Sequence, residues 1–210
     1  MVRFIGFTGQ ERRLIGASIK RLGDDDYRLC ELRRIEKADL PGYAGKVVPR
    51  HAECGERWDM TMYLASCDPF TVAHELAHVS DIAVRRGESR DHLALRMPTH
   101  WHVAHTMSAE YYANRVACGY AGDDAIASAF RSDAAGLAKA ARDQDWASCL
   151  TYYSLMLGIL HAKDRPDGEP LHALAGLDAL PEAVTRGMAA FRRQSMDFFA
   201  SYRQATPLAA

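Results

Sequence analysis

The segment His74-Glu75-Leu76-Ala77-His78 sets two imidazoles four residues apart, with a glutamate directly after the first. Residues four apart on an α-helix stack one turn above each other, so both rings can converge on one ion at about 2.0 to 2.1 Å, the zinc–imidazole distance. Glu75 is turned by about 100° from His74 around such a helix, away from direct ligation. It can instead reach a zinc-bound water as general base, which is the physical content of an H-E-x-x-H pattern. Two histidines can also flank a glutamate on any helix for reasons of packing alone, so the pattern calls for a third ligand.

A catalytic zinc takes three protein ligands and keeps one position for water. Downstream of the pair stand Asp81, Glu88, Asp91, His92, His100, His102, His105 and Glu110. Asp81 lies about 10 Å along a straight helix from His74 and cannot readily share an ion with both histidines. It suits the helix surface or a place behind the ligands. Glu110, Ala113, Asn114 and Ala117 fall on one helical stripe whose two alanines permit a close approach to the metal helix. The same stripe also reads as two core alanines beside a solvated charge. On a continuous helix His102 is about 80° and His105 about 140° from Glu110, which makes both surface or supporting residues. Asp81, Asn114, His102, His105, Tyr111 and Tyr112 are candidates for supporting a ligand or an oxyanion, and nothing in the spacing selects one tyrosine over the other.

Phe70-Thr71-Val72-Ala73-His74-Glu75-Leu76-Ala77-His78-Val79 and Glu110-Tyr111-Tyr112-Ala113-Asn114-Arg115-Val116-Ala117 together resemble the two motifs of the ImmA/IrrE family of zinc metallopeptidases: H-E-x-x-H, then E-x-x-A-N-x-hydrophobic-A some tens of residues later. The resemblance spans about residues 58 to 120. Ala77 stands where the family often has glycine, and Val116 where phenylalanine is common. It implies a gluzincin-like site in which His74, His78 and Glu110 hold one Zn2+ and Glu75 is the base. It further implies a cytosolic regulatory protein as substrate, such as a transcriptional repressor or antitoxin. Some members carry a helix-turn-helix DNA-binding domain; none is recognisable in this sequence.

The elements that must position these residues follow from pattern. Asp68 is a suitable N-cap and Pro69 a suitable first helical residue, and Arg85, Arg86 and Gly87 suit the other end, so the metal helix is expected near 69 to 86. Val72, Leu76, Val79 and Ala83 make its packing stripe, roughly opposite His74 and His78. Before it, Trp58, Met60, Met62 and Leu64 alternate with Asp59, Thr61 and Tyr63 at the period of a half-buried strand near 58 to 65. Shorter strands are expected near 2 to 7, 27 to 35 and 45 to 49, with a helix near 10 to 22. Further helices are expected near 101 to 119, 123 to 141, 146 to 162 and 181 to 204. The fold class is therefore α+β: a small N-terminal sheet packed on the metal-binding helix, then a mostly helical C-terminal half. One domain over 1–210 is expected, with parts at 1–67, 68–120 and 121–210.

Bulk properties agree with one core and restrict the partners. The chain has 210 residues, 48% hydrophobic and 25% charged, which suffices for a single globular unit. A formal charge of −1 gives no general pull toward nucleic acid or an anionic membrane. Arg12-Arg13 and Arg33-Arg34 read as solvated faces. The five cysteines, Cys30, Cys54, Cys67, Cys118 and Cys149, never form C-x-x-C and do not suggest a disulfide framework. His51 and Cys54 have a ligand-like spacing that recurs by chance. The N-terminus turns polar too early for a secretory signal, and the apolar run from Leu150 to Leu160 is about half a membrane span and reads as a buried helix. A cytoplasmic setting is expected, with no direct nucleic-acid or membrane partner.

These readings predict peptide-bond hydrolysis of a protein or peptide substrate. Two others fit the same motif: a zinc-binding regulatory or interaction protein with little proteolytic activity, and a zinc hydrolase of another amide or an ester. Glu75 speaks against the first, because a structural zinc site needs no base and closes its fourth position with another ligand.

Overall fold

The computed structural model describes residues 2–51, 58–85, 99–163 and 180–205. Within them the chain is α+β, with strands β1 (Arg3–Ile5), β2 (Leu32–Lys37), β3 (Gly45–His51) and β4 (Trp58–Leu64). The helices are α1 (Gly9–Asp24), α2 (Pro69–Arg85), α3 (Thr99–Ala117), α4 (Asp123–Arg142), α5 (Trp146–Ala162) and α6 (Glu182–Ala205). The strands form one sheet in the order β1-β2-β4-β3. β1 and β4 run parallel to β2, whereas β3 lies antiparallel on the outer side of β4. Pro49, opposite Met60, has no N–H to give to a neighbour, and an outer strand is where a sheet tolerates it.

Burial follows the alternation read from the sequence. Met60, Met62 and Leu64 are fully buried, Asp59 and Tyr63 are half-buried, and Thr61 is covered as well because β4 is flanked on both sides. β2 begins at Leu32, later than the expected start near 27. Asp26 adopts φ 64°, Tyr27 N–H returns to the Leu22 carbonyl, and Leu32 N–H closes a turn on Leu29, so residues 27 to 31 leave α1 as a turn before pairing can begin.

Helix α1 starts in a capping box in which Thr8 and Glu11 satisfy each other's backbone N–H groups. Asp68 caps α2 through Thr71 N–H at 2.9 Å. Val72, Leu76, Val79 and Ala83 are fully buried, as their stripe predicts. They join the sheet, Ile15 and Leu22 of α1, and Ala113 and Ala117 of α3 in one core. A second core lies among the later helices, around Leu137, Cys149, Met156, Leu157 and Met188. Helix α5 is buried on nearly every side, consistent with its apolar sequence. Among the described residues, no helix is long and apolar enough to cross a membrane. Helices α3 and α5 approach closely at Gly158, where a Cβ would stand 2.5 Å from the Tyr111 carbonyl oxygen.

Candidate metal centre

Helix α2 presents His74 and His78 from successive turns, and α3 lays Glu110 across them because Ala113, Asn114 and Ala117 let the two helices pack closely. His74 Nε2 and His78 Nε2 are 3.0 Å apart. Glu110 Oε2 is 3.2 Å from the first and 3.5 Å from the second. Three atoms on one tetrahedral ion with bonds of about 2.0 to 2.1 Å would be separated by about 3.3 Å. The three distances bracket that value, so the donor set fits a zinc-sized ion. Among the described residues this is the one cluster of histidine, cysteine and acidic side chains with metal-binding spacing. The side chains of His74, His78 and Glu110 keep 13%, 14% and 25% of their surface exposed, so the cluster is mostly buried but reached by solvent on one side.

The charges around the cluster are shaped by burial and by one another. Burial alone would depress the His74 imidazolium, but the hydrogen bond and charge of Glu110, with a further contribution from Glu75, hold its pKa up to about 9. Burial would raise the Glu110 carboxyl, yet His78 and His74 together draw it well below the usual carboxylate range. Glu75 moves the other way: burial, aided by the Glu110 charge, pushes it up, and the two histidines only partly offset this. One of its oxygens, Oε2, is buried with no hydrogen-bond partner. That is an unusual condition for a carboxylate unless something else completes it. Its methylene and carboxyl pack under Gly45, the first residue of β3, where a Cβ would come within 2.5 Å of Cγ.

A polar chain runs back from the cluster through Asn114. Its Oδ1 faces His74 Nδ1 at 2.7 Å, and its amide nitrogen donates to Asp133 Oδ2 at 3.1 Å and to the Leu155 carbonyl at 3.0 Å. Asp133, on α4, is raised to about 7 chiefly by burial.

The other sequence candidates are placed elsewhere. Tyr111 is buried with its hydroxyl 2.7 Å from His161 Nδ1, against α5 and α6. Tyr112 packs partly buried at the edge of the first core. Asp81 is half-buried on α2, His102 is exposed and His105 half-buried on α3, and His100 lies in the first turn of that helix. Asp81, His102 and His105 do not join the three-residue cluster. Cys54, Glu88, Asp91 and His92 lie outside the described residues. Cys30, Cys67, Cys118 and Cys149 are free thiols.

Sequence reasoning missed two members of this neighbourhood. Asp133 had a readable signal: Ile126, Phe130, Asp133, Leu137 and Ala140 recur at helical spacing, so one acid stands in an otherwise apolar stripe. Gly45 had none, since only the crossing of β3 over α2 gives its missing side chain a meaning. No family model, curated protein or solved structure matches the chain.

Proposed function

We propose that the chain is a zinc-dependent metallopeptidase in which His74, His78 and Glu110 hold the metal and Glu75 is the base. The observation that carries the reading is the pairing of two things: three donor atoms at the mutual spacing of a tetrahedral site, and a buried carboxylate beside them with an unsatisfied oxygen. When bound, zinc supplies Lewis acidity toward a carbonyl oxygen and lowers the pKa of water. Glu75 takes the proton of the attacking water and returns it to the leaving amine, and burial raises its pKa, which favours a group that must hold that proton before passing it on. Glu110, held anionic between two histidines, is suited to ligation instead. Asn114 accepts from the Nδ1 side of His74 and so leaves Nε2 facing the cluster.

What favours a peptide over another amide is the position of β3. Among the described residues it is one of the two outer strands, and its first residue lies directly against Glu75. An extended chain pairing with that edge would be led to the base. The substrate we assign, following the resemblance of the two motifs, is a cytosolic regulatory protein of the repressor or antitoxin kind.

The test compares Glu75→Gln with the wild type. The variant should bind zinc at the same stoichiometry and lose roughly 10²- to 10⁴-fold in cleavage rate, the range of general-base contributions. New protein N-termini would be sought in cells producing either form. A substrate cleaved equally well by Glu75→Gln would refute the mechanism.

A further inference from the structure

We propose that Asp133 is a positioning residue of the metal centre: from α4 it fixes the amide of Asn114, and through it the ring orientation and tautomer of His74. The proposal rests on the metal-binding part of the reading above and not on peptide cleavage.

Asn114 is 2% exposed, and every hydrogen-bonding group of its side chain is engaged. The two amide hydrogens go to the Leu155 carbonyl, which can only accept, and to Asp133 Oδ2, which can only accept once the carboxyl is charged, above about pH 7, so the nitrogen must face them. The oxygen is thereby directed at His74 Nδ1, 2.7 Å away. A flipped amide would set oxygen against the carboxylate and the carbonyl, leaving three buried acceptors facing one another. With Oδ1 as acceptor, a neutral His74, the form that can ligate, must carry its proton on Nδ1. Its Nε2 lone pair is then free on the side where His78 and Glu110 lie. Asparagine is neutral and cannot by itself dictate which of its ends faces the ring; the acid, together with the Leu155 carbonyl, supplies that choice.

The arrangement spans three helices. Helix α2 gives the histidine, α3 the amide, and α4 the acid, so α4 contributes to the site through Asn114. This accounts for an acid in the apolar stripe of α4, where a hydrophobic residue would otherwise serve packing.

The test uses Co2+ titration of the purified chain, followed by its visible absorption and by competition with a chelator, alongside thermal unfolding of the metal-free protein. Asp133→Leu keeps the branched shape, at a larger volume, and removes the acceptor; Asp133→Asn keeps an acceptor of the same shape; Leu137→Ala damages the same helix without entering the chain. The wild type should bind one Co2+. Asp133→Leu should bind roughly 10-fold or more weakly, as for other residues that support metal-ligating histidines. In its metal-free form above about pH 9, where His74 is neutral, the imidazole nitrogen spectrum of His74 should also show a mixed tautomer. Asp133→Asn should stay within about threefold of wild type, the expected rescue when hydrogen-bond geometry is preserved. Leu137→Ala should lose thermal stability with metal affinity unchanged. Wild-type affinity and tautomer in Asp133→Leu would overturn the inference, as would an affinity loss in Leu137→Ala that matches it. A folded wild type that binds no Co2+ would instead overturn the metal centre, and this inference with it.

Discussion

Gly45→Ala isolates the placement of the base from everything else at the site. Gly45 does not occupy the positive-φ region, so alanine is acceptable to the backbone and the strain arises only from contact. The added Cβ would lie 2.5 Å from Glu75 Cγ, 2.7 Å from Oε1 and 2.8 Å from Cδ, against the 3.4 Å at which ordinary contact begins. Glu75 Cγ must therefore move by about 0.9 Å, the difference between 2.5 and 3.4 Å. The blocked atoms include the first methylene beyond Cβ, and the residue is 5% exposed, so a swing of the carboxyl end alone does not relieve the clash. Overpacking of this kind costs about 1 to 3 kcal/mol, which lowers Tm by a few degrees in a chain of this length. A base misplaced by about 1 Å can lose about 10²-fold in rate. The expectation is a kcat lowered about 100-fold with KM little changed and zinc affinity intact, because His74, His78 and Glu110 are untouched. The assay is steady-state cleavage of a peptide spanning the site found with Glu75→Gln, with metal content measured in parallel. Introduced into the Glu75→Gln background, Gly45→Ala should produce little further loss, since both act on the same step. Full activity in Gly45→Ala, or additive losses in the double variant, would refute the placement argument.

Metal binding should release close to one proton per ion at neutral pH, because His74 is held protonated up to about pH 9 by Glu110 in the metal-free protein and must lose that proton to ligate. Affinity should rise by up to about tenfold per pH unit toward pH 9 and then level; calorimetry in buffers of differing ionisation enthalpy measures the proton, and none released would contradict it. In the metal-free protein the sign reverses: the raised His74 pKa gives stability that is complete below the ordinary histidine value and is lost as pH rises through about 9. Thermal unfolding across that window should show Tm falling with pH without metal and not with it. Gly158→Ala should force α3 and α5 apart at the Tyr111 carbonyl, costing about 1 to 3 kcal/mol; a variant that melts with the wild type would show that the two helices can separate there without penalty.

The helices were legible from the sequence because their signals are local. Asp68 before Pro69, the Leu150 to Leu160 run and the stripe of Val72, Leu76, Val79 and Ala83 each state a helix within a few residues of their own position. The start of β2 was less so, because the left-handed residue Asp26 reverses the chain and keeps an apolar segment, Tyr27 and Leu29, out of the sheet. At the site, the spacing of His74 and His78 and the stripe headed by Glu110 were visible as patterns. Their convergence depends on how α2 and α3 cross, which no spacing within either helix encodes. Asp133 and Gly45 come from two different elements, one a helix and one an outer strand, and neither gains a role until the packing brings it there.

That packing also explains how two glutamates in one site receive different tasks. Glu75 and Glu110 are alike in chemistry, and each is drawn toward ionisation by the same two histidines. Glu110 lies in hydrogen-bond range of both Nε2 atoms on the partly exposed side of the cluster, so the attraction outweighs its burial and the carboxylate stays charged. Glu75 points from the same helix as the histidines toward Gly45 and β3, with an oxygen that meets no donor; there burial outweighs attraction and protonation becomes easier. Pairs of carboxyl groups whose surroundings push their pKa values apart are how a protein separates a fixed anion from a proton carrier. In the mechanism proposed above, the helix sets which atoms would meet the ion, and the strand laid over Glu75 determines which carboxyl group is left to move the proton.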